Sequence, residues 1–201
     1  MAVPASWDFQ DIKWELNTDI YVSSPSSLHL LSGRYHWNAL CKNAGTLDIE
    51  QGQLIDHFQA NIPISHNPGL FFRAQAPVGQ NTPVTFYCAA FYTTYTRVYR
   101  YINGTPATFL TFTNDISLAA ATWYLIRITW WWAYDKQNVK STAIRIERWN
   151  GDAWVDWGTQ YDTGNIGDGT GINRVGVGRH SGSTYATTIY HDDTEIWTPS
   201  E

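Results

Sequence analysis

The chain has 201 residues, of which 15 % are charged and 15 % aromatic, with 11 Trp, 12 Tyr and a net charge of −5. Its 13 Lys and Arg are scattered singly, which argues against the concentrated basic footprint of a nucleic-acid binder. No run approaches the roughly 18 apolar residues of a transmembrane helix, so membrane insertion is not expected. The length suits a single domain, taken as 1–201, that can bury a core without obligatory disulfides or metals.

The opening MAVPASWDFQ has neither a basic stretch nor an apolar one behind it, so no secretory signal is expected. Hardly any segment repeats apolar residues at helical spacing, and SLAAATWYL (117–125) has room for one turn at best. Short β-branched and aromatic runs recur instead between Gly, Asn, Asp and Pro, the pattern of an all-β sandwich or barrel. Strands are predicted near 19–22, 27–31, 46–50, 53–60, 69–75, 84–92, 96–102, 107–112, 123–132, 140–149, 153–157, 173–178 and 187–197. Within them, His57 shares a face with Ile55 and Gln59, and FFRAQ places Arg73 and Gln75 on one face. Cys88 sits in an apolar run far from Cys41, and a buried thiol is a simpler reading than a disulfide. In TRVYRYING (96–104), Arg97, Tyr99 and Tyr101 share one face, which suits a groove or a neighbouring subunit equally.

RITWWWAYD (127–135) sets three tryptophans side by side. Strand alternation groups Tyr124, Ile126, Ile128, Trp130 and Trp132 on an apolar face, so Trp130 and Trp132 are expected to be structural. Arg127, Thr129 and Trp131 fall on the other face. Asn150-Gly151 in RWNGDAW signals a two-residue hairpin turn. Centred there, the register pairs Ile146 with Val155 and Ile144 with Trp157, and on the opposite face Arg145 with Asp156 and Glu147 with Trp154. The polar face then carries Arg127, Thr129, Trp131, Arg145, Glu147, Trp149, Trp154 and Asp156. Flat rings among hydrogen-bonding groups suit sugars, and they suit a protein interface as well. Trp149 and Trp154 flank the turn, where aromatics also serve simply to clamp a hairpin.

Three stretches resemble the concanavalin A-like and laminin-G-like domains. They are WDFQDIKWELNTDIYVSSPSSLHLLSGR, the pair TWYLIRITWWW and IRIERWNGDAWVDWG, and the closing YHDDTEIW. The resemblance implies an all-β jelly-roll sandwich of two antiparallel sheets, one of them concave. It also implies a structural calcium joining the N-terminal segment to the last strand. The matching positions are Gln10, flanked by Asp8 and Asp11, and the pair Asp192-Asp193. Gln10 offers an amide oxygen without charge, although calcium favours carboxylates. Asp192, aligned with Tyr190, Thr194 and Ile196, has the alternative of pointing inward onto backbone donors. Asp162 and Asp168 form a second candidate that matches no calcium loop.

One branch of that group hydrolyses β-glucans with paired glutamates on a strand. The nearest match, TLDIEQG (46–52), has Asp48 and Glu50 on one face, but Thr46 stands where the nucleophile is required. A lyase needs a His or Tyr base beside a charge-neutralising Arg or Gln, and His57, Arg73 and Gln75 are the candidates. Neither constellation is complete, and no GxSxG, P-loop, HExxH or CxxC motif occurs. The expectation is therefore a non-catalytic binding or structural protein acting through an aromatic surface. Its partner would be a glycan, or a protein in an assembly such as a homo-oligomer, a capsid decoration or a phage tail component. Its place would be an extracellular surface or a virion. A polysaccharide lyase or glycosidase of the same fold is the alternative.

Overall fold

The structure is a computed structural model describing residues 8–9, 14–17, 27–30, 38–43, 50–60, 68–75, 85–164, 172–180 and 189–197. Among these every regular element is a strand. One seven-stranded sheet has the order β1 (Asp8–Phe9), β4 (Asn38–Asn43), β13 (Ile172–Arg179), β6 (Pro68–Gln75), β7 (Thr85–Phe91), β8 (Tyr95–Ile102), β9 (Thr105–Thr113). The other has the order β12 (Trp154–Asp162), β11 (Lys140–Trp149), β10 (Tyr124–Tyr134), β5 (Gly52–Ala60), β14 (Ile189–Trp197), β3 (Ser27–Leu30), β2 (Trp14–Asn17). All pairings are antiparallel, as expected for the sandwich. Three strands were not predicted, β1, β2 and β4. They are short or, like NALCKN, lack a clean alternation. The predicted strand 19–22 lies outside the described residues. So does 46–50, apart from Glu50, which occupies a bend before β5.

Alternation builds the core between the sheets. Leu54 and Phe58 of β5, Leu70 and Phe72 of β6, Tyr87, Ala89 and Phe91 of β7, and Ile126, Ile128 and Trp130 of β10 form one buried cluster with Ile144, Ile146 and Trp157. Trp130 stacks on Phe72, ring centroids 5.0 Å apart. A side chain of this size buries roughly 150–250 Å², on the order of 4–6 kcal/mol of transfer free energy before entropy is charged against it. Trp132 lies on the same face at the margin of the layer. Its indole is held between the Arg73 guanidinium (3.8 Å) and the Lys140 ammonium (3.7 Å) while its N–H donates to Glu50 Oε2 at 3.0 Å. The structural expectation for both rings holds.

Bulges change three details of the sequence reading. The β6–β7 register shifts between Phe72 and Gln75, where Arg73 adopts φ 48°. The extra residue sends the fully buried Arg73 inward with Phe72, to donate to Thr142 Oγ1 at 2.6 Å. In β14 the register shifts between Asp192 and Glu195 around Asp193 at φ 49°. His191 and Thr194 thus both face the interior and both bond Asp56, while Asp192 shares the outer face with Tyr190. The inward Asp192 of unbroken alternation is corrected. In β12 the register shifts beside Ile146, with Gly158 at φ 110°.

The β11–β12 hairpin also departs from the two-residue turn. Trp149 pairs with Trp154, and four residues connect them. Asn150 Oδ1 accepts from the N–H groups of Asp152 and Ala153, 2.9 Å each, and Asn150 N–H donates to Ala153 O. An Asn that closes its own turn lengthens the loop. The observed pairs are Arg148 with Val155, Glu147 with Asp156 and, beyond the bulge, Ile144 with Gln160. The predicted partners are therefore displaced by two and then three residues. The assignment of faces survives, because a slip of two preserves it and the bulge absorbs the odd residue.

Two buried polar clusters tie the sheets together. Asp56, fully buried, meets His191 Nδ1 at 2.6 Å and accepts from Thr194 Oγ1 at 2.7 Å, and His191 Nε2 donates to Gly178 O of the opposite sheet at 3.1 Å. Asp162 of β12 accepts from Arg100 Nη1 through both oxygens, at 3.0 and 2.9 Å, and from the Tyr87 hydroxyl at 2.8 Å.

Candidate functional site

The outer face of the β12–β2 sheet carries the predicted polar residues. Arg127, Thr129 and Trp131 of β10 point outward, flanked by Arg145 and Glu147 of β11 and by Trp154 and Asp156 of β12. They separate into two groups. Arg127 Nε donates to Glu147 Oε2 at 2.7 Å, and Arg145 Nη2 lies 3.1 Å from both Glu147 Oε1 and Asp156 Oδ2. The Arg127 guanidinium covers the Trp154 ring at 4.3 Å, and Trp154 meets Trp149 edge-on at 5.5 Å. In this network each carboxylate is met by a guanidinium, and Trp149 with Trp154 clamps the hairpin end.

Trp131 and Thr129 belong elsewhere. Thr129 pairs with Gln53 of β5, and Gln53 with Trp197 of β14, so the three residues form one row across the sheet. Trp131 stands two residues along β10 from that row. Between Trp131 and Trp197 opens a cleft of about 340 Å³ lined by Gln51, Gly52, Gln53, Thr129, Trp130, Trp131 and Trp197. Trp197 is 57 % exposed, and its indole N–H is held by Glu195 Oε2 at 3.0 Å. Among the described residues no charged one lines the cleft. Among the described residues, the side chains of Gln53 and Thr129 have no hydrogen-bond partner. Gly52 is required here, because a Cβ would lie 2.8 Å from Trp197 O and 3.0 Å from the Trp130 ring.

Trp197, which lines this cleft, is not among the residues singled out from the sequence; its signal is position, at the end of the strand that pairs with Gln53 of β5.

The outer face of the other sheet is also aromatic but closed. Phe71, Ala74, Phe86, Cys88 and Tyr101 form a second buried cluster with Tyr99 against it, and Cys88 is the buried thiol expected. Tyr99 stacks on His180 at 4.3 Å, Tyr101 Oη lies 3.0 Å from His180 Nε2, and Tyr92 and Tyr99 share a hydroxyl contact of 2.9 Å. Arg97 covers Phe109 at 4.7 Å and Tyr95 at 5.0 Å. Burial pushes His180 down to about 4. Burial, with the Cys88 thiol second, pushes the Tyr101 hydroxyl well above its ordinary range.

The remaining candidates do not assemble. His57 faces outward from β5, with Nδ1 3.7 Å from Asp193 Oδ2, whereas Arg73 is inside the sandwich. The His57–Arg73 pairing considered for a lyase is therefore taken apart. Glu50 is bonded to Trp132, and Thr46 and Asp48 lie outside the described residues. Of the calcium candidates, Asp8 lies on β1 at the edge of one sheet and Asp192-Asp193 on β14 of the other. Gln10 and Asp11 are outside the described residues. Asp192 Oδ1 accepts from Asp193 N–H at 2.9 Å. Asp162 is engaged by Arg100, and Asp168 is outside the described residues. Among the described residues no three His, Cys, Asp or Glu come together as metal ligands. No described helix is long and apolar enough to cross a membrane.

No protein-family profile and no curated protein matches the chain. Solved structures do. A β-glucanase from Bacillus licheniformis aligns with a TM-score of 0.57 at 11 % identity over 99 % of this chain and 95 % of its own. The marine PL-14 alginate lyase from Aplysia kurodai gives 0.57 at 13 % identity over 93 % and 87 %. The carbohydrate-binding module CBM66 from Bacillus subtilis gives 0.53 at 10 % identity over 96 % of each chain. At such identities the likeness concerns the fold, a jelly-roll β-sandwich, and fold alone does not carry activity.

Proposed function

We propose that this chain is a non-catalytic carbohydrate-binding β-sandwich of the concanavalin A-like group and that the Trp131–Trp197 cleft is its sugar site. The observation that carries this reading is the pairing of two indoles across a neutral floor whose Gln53 and Thr129 side chains lack partners among the described residues. Rings take the apolar face of a pyranose, and the amide and hydroxyl supply donors and acceptors for its hydroxyls. The known actions of the fold neighbours, on glucan or alginate or in carbohydrate binding, accord with a sugar ligand.

The tyrosine face supports catalysis less well. A general base works best with a pKa near the working pH, whereas His180 is pushed down and Tyr101 up. The aromatic surface also suits attachment or assembly within a phage or virus particle, because Trp197, Tyr161 and Tyr134 are each more than half exposed.

The test is a glycan array on the folded protein beside Trp131→Ala and Trp197→Ala, with molar mass measured by light scattering. Binding lost in both variants supports the sugar site. A monodisperse oligomer that binds no glycan and dissociates in the same variants overturns it in favour of assembly.

A further inference from the structure

A second cleft of about 340 Å³ lies on the same outer face, lined by Ala133, Tyr134, Asp135, Val139, Ser141, Tyr161 and Thr163. The register connects it to the first. Trp131 pairs with Ala143, and Ala143 with Tyr161, so Trp131 and Tyr161 stand in one row with a fully buried alanine between them. Trp197, Trp131 and Tyr161 thus sit on alternate strands, β14, β10 and β12. At 4.7–4.9 Å per strand, Tyr161 stands roughly 9–10 Å from Trp131. Trp197, offset by two further residues along the strand, stands roughly 12 Å from it, and the whole track spans about 20 Å, the reach of about four hexose units.

Charge narrows the ligand class. Among the described residues the only ionic group lining either cleft is Asp135, whose Oδ1 already accepts from Gln137 and Val139 N–H at 2.9 and 2.8 Å. The nearby cations Arg127 and Arg145 are committed to Glu147 and Asp156. Among the described residues no cation lines either cleft to meet a uronate or sulfate. Resting on the sugar-site reading above, we infer that the face holds a linear, neutral glycan laid across the strands from Trp197 to Tyr161, and that Tyr161 is the platform that makes affinity grow with chain length.

The experiment is calorimetric titration with neutral gluco-, xylo- and manno-oligosaccharides of disaccharide and hexasaccharide length, and with oligogalacturonate as the acidic probe. The wild type is expected to bind at least one hexasaccharide about tenfold more tightly than its disaccharide, equivalent to about 1.4 kcal/mol. Tyr161→Ala removes that gain and leaves the disaccharide unchanged, whereas Trp131→Ala abolishes both. Equal affinity for the two lengths, a length gain that survives Tyr161→Ala, or preference for oligogalacturonate overturns the track. Loss of disaccharide binding in Tyr161→Ala also overturns it, unless its unfolding midpoint has moved from the wild-type value, in which case Tyr161→Phe, with the ring retained, decides by keeping or losing the length gain. If the wild type binds no neutral sugar at either length, the sugar-site reading itself falls.

Discussion

Replacing Asp162 by alanine tests what joins the two sheets at one end of the sandwich. The Asp162 side chain is 7 % exposed and that of Arg100 12 %, so water screens their contact little. The carboxylate accepts from Arg100 through both oxygens, from the Tyr87 hydroxyl and from Gly164 N–H at 3.0 Å. Its loss leaves a guanidinium uncompensated in a dry site and deprives Tyr87 of its shorter hydrogen bond. Breaking one half of a buried pair costs about 3–5 kcal/mol, a large share of the roughly 5–15 kcal/mol that holds a domain together. For a chain of this size the melting temperature should fall by on the order of 10 °C. Urea unfolding followed by tryptophan fluorescence reads the change as a lower midpoint at unchanged slope. The double variant Arg100→Met/Asp162→Leu should recover much of the loss, because removing both charges removes the desolvation penalty. A cost below about 1 kcal/mol for Asp162→Ala, in the range of an exposed pair, would refute the argument that this pair is dry.

Two further outcomes are expected. His180 is held neutral, with its folded pKa of about 4 below the ordinary 6.5, so the unfolded chain takes up a proton first as pH falls. Stability should therefore decline by about 2–3 kcal/mol between roughly pH 6.5 and 4, and His180→Gln should flatten that slope in urea titrations at successive pH values. Gly52→Ala should weaken glycan binding at least tenfold, about 1.4 kcal/mol, and lower the urea midpoint as well, because its methyl group meets the Trp197 backbone oxygen and the Trp130 ring and forces β14 away from the cleft floor.

Sequence alternation was a sound guide wherever the strands are regular. The inward Tyr124, Ile126, Ile128 and Trp130 follow from spacing alone, because period-two burial is a local property of an extended chain. It failed at Arg73 and at Asp193, each at a bulge. A bulge inserts one residue and reverses the faces beyond it, and neither Arg73 nor Asp193 is the glycine that would advertise one. The hairpin register failed for a related reason. Asn150-Gly151 does mark the turn, but Asn150 uses its side chain to hold a longer loop.

The divided fate of the predicted site follows from competition for partners. Arg127, Arg145, Glu147 and Trp154 looked like ligand-binding groups because the sequence shows residue types but not which of them are already bonded. In the fold their charges meet one another, and a sugar hydroxyl would have to displace charge-assisted bonds worth about 1.5–3 kcal/mol each to reach them. Gln53 and Thr129 have no such competitor among the described residues, and neutral groups of this kind cost little to strip of water when a hydroxyl replaces it. That difference is why we propose recognition at the Trp131 end of the strand, with the Arg127 end as its frame. It also fixes what Glu147→Gln should do: loosen Arg127 and Arg145, lower stability, and leave binding in the Trp131–Trp197 cleft intact. Selective loss of glycan affinity in Glu147→Gln, measured on protein with a wild-type unfolding midpoint, would move the site back to the ion network.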